Sequence, residues 1–291
     1  MQNNLTEELI KLEDLKTNIK KELSIFKDNS FYFIEESHKY FYNDIELKPV
    51  TTFLKTFIPE FNQELILPLS ARKNNTTPEL LKATWDYKRD KSNNIGTYFH
   101  LFIENFYNNN EDYLLTMSEF YNYENNYYIN KLKEYDNVNE FNYRISQFYS
   151  LYHSKLKNLY FVASETKIFD NKLKIAGTID ALFINPINNE LYILDWKSNS
   201  TEFTTIEPDK YNPNFINLSS NDKLKLTNTT LNKYSLQTSL YSLILKRNTN
   251  LIVTNAFIVH VPPMPNVCGI HKCLDYKEEL INYFVNYNVI N

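Results

Sequence analysis

Apolar residues recur in helical, alternating and continuous patterns along the chain, and each pattern predicts a different element. Residues 5–26 place them near helical spacing among Lys and Glu, which predicts an amphipathic helix. Residues 31–47 alternate aromatic and polar side chains around Asn43-Asp44, as a hairpin does. A short helix is expected over 50–57, closed by Pro59. Another is expected over 78–89, with Thr77 as its cap and Pro78 at its first position. Helices over 94–107, 112–134 and 138–159 follow. The pattern then changes to short apolar runs starting at Tyr160, Lys174 and Leu191, with a helix over 231–246 and a returning strand over 250–261. Residues 206–226 hold prolines, Asn and Ser and read as a long loop over the sheet edge, a length that is often functional. The sum is an α/β layer, expected to divide into an N-terminal helical and hairpin region (1–93), a core (94–265) and a tail (266–291).

The chemistry concentrates between Gly177 and Lys197. Gly177-Thr178-Ile179-Asp180-Ala181-Leu182-Phe183 and Leu191-Tyr192-Ile193-Leu194-Asp195-Trp196-Lys197 flank the turn cluster Asn185-Pro186-Ile187-Asn188-Asn189. A hairpin symmetric about Ile187 and Asn188 sets Asp180 across from Asp195, with Cβ atoms about 4.5–5.5 Å apart. Two carboxylates at that separation repel unless a cation neutralises them or one holds a proton, which makes the pair a candidate metal site. The period of two along a strand puts Lys197 on the same face. A turn at 170–172 places Glu165 opposite Thr178, and so on that face as well. The assignment depends on register, since a slip of one residue inverts the faces.

These residues resemble the PD-(D/E)xK nuclease superfamily and, within it, the RecB-like exonuclease branch. The matching blocks are Gly177-Thr178-Ile179-Asp180, Asp195-Trp196-Lys197-Ser198, the Gly96-Thr97-Tyr98-Phe99-His100 segment, and Gln237 with Tyr241. A less specific likeness to phage, large-virus and mitochondrial genome-maintenance exonucleases covers His38-Lys39-Tyr40, residues 49–55, Ala71-Arg72-Lys73 and Trp85. The resemblance implies a restriction-endonuclease-like core, a central mixed sheet flanked by helices with an N-terminal helical region. It also implies one or two Mg²⁺ or Mn²⁺ ions on His100, Asp180 and Asp195, with the Trp196 carbonyl as a further oxygen ligand; Glu165 joins them as a ligand to the metal or its water, or is a strand-face acid paired with Lys167 or Lys174. Lys197 is implied as the catalytic lysine, and Gln237 and Tyr241 as contacts to it or to the DNA backbone. Glu104 orients His100 or bonds a neighbour, and both readings stand. Gly96 and Thr97, read as a helix start, offer amides to a phosphate. Lys88, Arg89 and Lys91 are phosphate contacts or a solvated charge run.

The activity implied is a metal-dependent DNA exonuclease in end processing, replication, recombination or repair. The alternatives are a structure-specific or RNA-cutting endonuclease, or a nucleic-acid-binding or assembly module that keeps the fold. DNA with a free end is the expected partner. There is no Walker A sequence, so a helicase or other replication or recombination protein would be separate.

Composition narrows this only a little. With 291 residues and 43% hydrophobic content the chain can bury a substantial core, and only 3 glycines fit a loop-rich barrel poorly. A formal charge of −4 argues against indiscriminate polyanion binding, so any nucleic-acid contact is local. Many Asn, Tyr, Lys and Ile codons are AT-rich, and that bias accounts for much of the aromatic enrichment. Cys268 and Cys273 read as reduced thiols, too few for the four-cysteine iron–sulfur cluster of some relatives. No apolar run reaches the ~18 residues of a membrane span, and the acidic start with Glu7, Glu8, Glu13 and Asp14 resembles no targeting peptide. An intracellular protein is expected, in the cytoplasm, or in the host cytoplasm for a viral enzyme.

Overall fold

The computed structural model describes residues 2–58, 62–200, 203, 216–217 and 225–286. Helix α1 (Gln2–Leu23) leads through a 3-10 turn (Ser24–Lys27) into three short strands, β1 (Phe31–Ile34), β2 (Lys39–Tyr42) and β3 (Ile45–Pro49). Helices α2 (Val50–Leu54), α3 (Gln63–Lys73), α4 (Pro78–Asn108), α5 (Tyr113–Asn122), α6 (Tyr127–Lys133) and α7 (Val138–Leu151) follow. The central strands are β4 (Tyr160–Asp170), β5 (Ile175–Asn185) and β6 (Glu190–Lys197). After a two-residue ribbon of β7 (Ile216–Asn217) and β8 (Lys225–Leu226) come α8 (Thr230–Asn248), β9 (Val253–His260), β10 (Gly269–Lys272) and α9 (Lys277–Asn286). Most of the expected 206–226 loop lies outside the described residues. No helix among the described residues is long and apolar enough to cross a membrane.

The main sheet is mixed, in the order β1-β2-β3-β5-β6-β9-β10, with β4 on the other edge of β5. Strands β3 and β5 run parallel, as do β6 and β9, and the remaining neighbours are antiparallel. The apolar runs of β5 and β6 are buried on both faces because helices cover both. On one face α8 and α1 pack Leu236, Leu240, Ile244 and Ile19 against Leu182, Ile184 and Ile193. On the other, α4 and α7 pack Phe99, Phe102, Phe106 and Phe148 against Ala181, Phe183, Leu194 and Trp196.

Several expected boundaries move for identifiable reasons. The helices expected over 78–89 and 94–107 are one helix of 31 residues, capped by Thr77, whose Oγ1 accepts from Leu80 N at 3.2 Å. The intervening Asp-Lys-Ser-Asn-Asn contains no proline, and Gly96 costs only about 1 kcal/mol in a helix interior. The division expected at residue 94 thus falls inside a continuous helix. Conversely, the segment 112–134 breaks into α5 and α6, because Glu124, Asn125 and Asn126 all take left-handed φ angles of 32°, 59° and 64°. The hairpin expected over 31–47 is a three-stranded meander. Its last strand joins the central sheet, with Lys48 beside Ile175 and Pro49 beside Ala176. The expected tail supplies β10 and α9, with Leu280 and Phe284 in the core.

Candidate active site

The β5–β6 ladder pairs Ala181 with Leu194 through Asn185 with Glu190, the symmetric register expected from sequence. On the same edge of β5, β3 pairs with Ile175 and Ala176. Residues 177–180 lie in the fork between these two partners, where β6 leaves the ladder. Trp196 N donates there to the side chain of Asp180 (Oδ2, 2.8 Å) in place of a ladder bond. Asp180, Asp195 and Lys197 meet at this fork.

The β4–β5 register differs from the expected one by two residues. Thr178 faces Lys167, and Asp170 faces Ile175. The connection is longer than expected because Asp170 Oδ1 accepts from both Lys172 N and Leu173 N at 2.9 Å, closing a turn that ends with Lys174 at φ 56°. A shift of two preserves the faces, so Glu165 remains on the site face. It lies across from Asp180, between the paired Ser164–Ala181 and Thr166–Ile179. Glu165 carries a left-handed φ of 44°, a strained conformation for a non-glycine strand residue.

His100 reaches the same place from α4. Its Nδ1 is 3.6 Å from Asp180 Oδ2, and one ligand atom from each of His100, Glu165 and Asp180 lies within 4.8 Å of the others. Asp195, 1% exposed, is held from below: Gln237 Nε2 donates to its Oδ1 at 3.4 Å and to the Tyr241 hydroxyl at 2.9 Å. Gln237 thus supports Asp195 rather than touching Lys197. Lys197 Nζ is 2.5 Å from Asp195 Oδ2 and 4.8 Å from the centre of the Tyr234 ring. Any cation that reached Asp195 Oδ2 would have to share that oxygen with the Lys197 ammonium.

The electrostatics follow from burial. Desolvation, then Asp180 and Glu104, push Glu165 up to about 8. Desolvation also raises Asp195 to about 6 against the pull of Lys197, and raises Asp180. Burial lowers Lys197, but Asp195 and Asp180 outweigh it and hold the ammonium above its ordinary value. Burial and the Lys197 charge lower His100 to about 4, which leaves a neutral imidazole at pH 7. Three carboxylates and one neutral imidazole, with a single close ammonium, fit a hard divalent cation that accepts oxygen and nitrogen ligands. The backbone of Trp196 accepts from His100, which brings that carbonyl to the same spot.

These shifts predict a pH dependence for the metal-free protein. Between pH 6.5 and 8 the folded state keeps the Glu165 proton that the unfolded chain has released, so stability falls as pH rises. Below pH 6.5, His100 acts in the opposite sense, because it is neutral when folded and protonated when unfolded. Denaturant melts in EDTA should show the decline from pH 6.5 to 8, and added Mn²⁺ should reverse it. A flat profile in EDTA would contradict the assigned burial of Glu165.

Other sequence expectations meet different outcomes. Gly96 and Thr97 sit inside α4, not at its start: Thr97 Oγ1 donates to Asn93 O at 3.0 Å, and neither residue belongs to a free helix end. Glu104, half-buried and raised by desolvation, makes no hydrogen bond to His100 and faces Lys167. Arg89 is paired with Asp86 at 2.7 Å and Asp90 at 3.0 Å, and Lys88 is exposed one residue away. Three site residues are new. Tyr234 lies one turn before Gln237 on the same face of α8, which helical spacing could have shown. Tyr40 bonds Thr178 Oγ1 at 3.0 Å from the N-terminal meander. Buried Arg144 on α7 donates to Glu140 at 2.9 Å and to the Ser198 carbonyl, bracing the chain just after Lys197. No local signal marks Arg144, and Tyr40 falls in the His38-Lys39-Tyr40 block, which gave it no role at the site.

A family model described as the PD-(D/E)XK nuclease superfamily matches residues 78–280, which include every ligand candidate and Lys197. The chain belongs to the PD-(D/E)XK nuclease superfamily. Its fold, an α/β core with a mixed sheet between helices, agrees with that membership, and the family carries metal-dependent nuclease activity on nucleic acid. Comparison with curated proteins returns no match. Tyr40, which bonds Thr178, lies upstream of the matched segment.

Proposed function

We propose that this chain is a DNA exonuclease of the RecB-like branch, dependent on Mg²⁺ or Mn²⁺, which hydrolyses phosphodiester bonds from a free end. The observation that carries the reading is the convergence of His100 from α4 with Glu165, Asp180, Asp195 and Lys197 at the fork of β5. The histidine and the Gln237–Tyr241 pair beneath Asp195 are the features on which the resemblance to that branch rests. His100, Glu165, Asp180 and Asp195 would hold the cation, which when bound supplies an activated water and charge stabilisation at the phosphate. Lys197, fixed between Asp195 and Tyr234, donates to the phosphate oxygens as negative charge develops and orients the attacking water. Gln237 and Tyr241 keep Asp195 from turning away. Water adds to phosphorus, the bond to the leaving sugar oxygen breaks, and that oxygen takes up a proton.

Linear and circular single-stranded DNA, with linear duplex and RNA alongside, separate the readings. Progressive loss of nucleotides from one labelled end of linear DNA, with circles left intact in Mg²⁺ or Mn²⁺, is the expected result and also gives the polarity. Cutting of circles would replace the exonuclease reading with the endonuclease one. Replication, recombination and repair factors, including any helicase, would act as separate partners.

A further inference from the structure

The register of the central strands sets two cross-strand rows on the site face. Glu165, Asp180 and Asp195 form the acidic row. One pleat further along, Lys167 is paired with Thr178 on one edge of β5, and Lys197, two residues past Asp195 on β6, reaches the acidic row from the other edge. Two lysines therefore approach the acidic row from strands on opposite edges of β5. Lys197 is partly buried and bound to Asp195, whereas Lys167 is exposed. Among the described residues Lys167 makes no ion pair, and its ammonium lies 5.7 Å from the centre of the Phe33 ring.

A surface lysine that only balanced Glu104 and Glu165 would close an ion pair with one of them. Lys167 lies near enough for its charge to act on both, yet it is held over Phe33 instead. Phe33 is itself fixed against Tyr40 at 4.6 Å, and Tyr40 bonds Thr178, the residue paired with Lys167. The ring therefore holds a cation beside the acidic row without neutralising it.

We propose that Lys167 is a second phosphate-binding group, which takes a phosphate of the substrate strand next to the one being cut. Resting on the nuclease reading of the same site, this assigns a backbone-anchoring role to a residue outside the metal and lysine set. The phosphate is an internal diester or a terminal monoester, and both present the same anionic oxygens to an ammonium.

The test is equilibrium binding of labelled single-stranded oligonucleotides in Ca²⁺ across a salt series, for wild type, Lys167→Met and Lys167→Arg. Lys167→Met should bind about 5–10-fold more weakly, and the slope of log affinity against log salt should fall by roughly 0.7, one phosphate contact on a single strand. Lys167→Arg should retain most of both. A neutral methylphosphonate at one internal linkage, or loss of a terminal phosphate, should weaken wild type by the same factor and add nothing to Lys167→Met, and whichever does so identifies the phosphate. Equal affinity and equal salt slope in wild type and Lys167→Met would overturn the proposal. Cleavage by wild type in Mg²⁺, scored separately, reports on the nuclease reading. A wild type that binds with the Lys167-dependent slope but never cuts would sink that reading and leave this one standing.

Discussion

Lys197→Met lowers single-turnover cleavage by about 10²–10³-fold while divalent-ion affinity at pH 8 stays the same or tightens. The rate loss is the size expected when one preorganised donor to a developing oxyanion is removed from a dry site. Methionine keeps the length of the side chain, so the Tyr234 face remains covered. The affinity moves the other way because the Lys197 ammonium sits 2.5 Å from Asp195 Oδ2 and competes with any cation for that oxygen. The same ammonium holds Asp195 down to about 6 against burial, so its loss strengthens proton competition there, which working at pH 8 limits. Quenched-flow cleavage and calorimetric titration with Mn²⁺ check the two halves. A variant that loses metal binding together with activity would assign Lys197 to folding of the site rather than to chemistry.

Gly177→Ala should be the most damaging alanine substitution among the chain's 3 glycines. A Cβ there would lie 2.6 Å from Tyr241 Cε1 and 3.3 Å from Val50 Cγ2, and Tyr241 is 4% exposed with no room to retreat. Overpacking of this kind costs about 1–3 kcal/mol, several degrees of melting temperature for a chain of this size. Activity should fall further than stability, because displacing Tyr241 disturbs Gln237 and through it Asp195. In the double variant Gly177→Ala, Tyr241→Val the thermal losses should be less than additive, since the smaller side chain frees the space, while cleavage stays low. Additive thermal losses would show that the two residues do not press on each other. Gly96→Ala is the control: its Cβ would meet Ser198 Oγ at 3.5 Å, an ordinary contact.

How much of this was legible in the sequence depends on how local each signal is. The Asp180–Asp195 hairpin could be read because both strands and the turn lie within 21 residues and a symmetric loop fixes the register. Glu165 reached the right face despite a wrong register, because the error was an even number of residues. The reading of Gly96 and Thr97 as a helix start failed because weak helix formers between Arg89 and Asn94 do not break a helix that has tertiary packing behind it. Tyr40, Arg144 and Lys167 acquire their roles from contacts made by distant elements. The junction of β3 with β5 brings the N-terminal meander to the site, and no local pattern announces a parallel pairing between residues so far apart in the chain.

The account rests on the acidic row being a metal-dependent hydrolytic centre. The most direct measurement is cleavage of end-labelled single-stranded DNA in Mn²⁺, compared between wild type, wild type in EDTA, and Asp180→Asn, with Mn²⁺ binding followed on the same samples. Cleavage by wild type that is lost in EDTA and in Asp180→Asn, together with weakened Mn²⁺ binding in that variant, is the predicted result. Cleavage that survives EDTA, or Mn²⁺ binding that ignores Asp180→Asn, would contradict it.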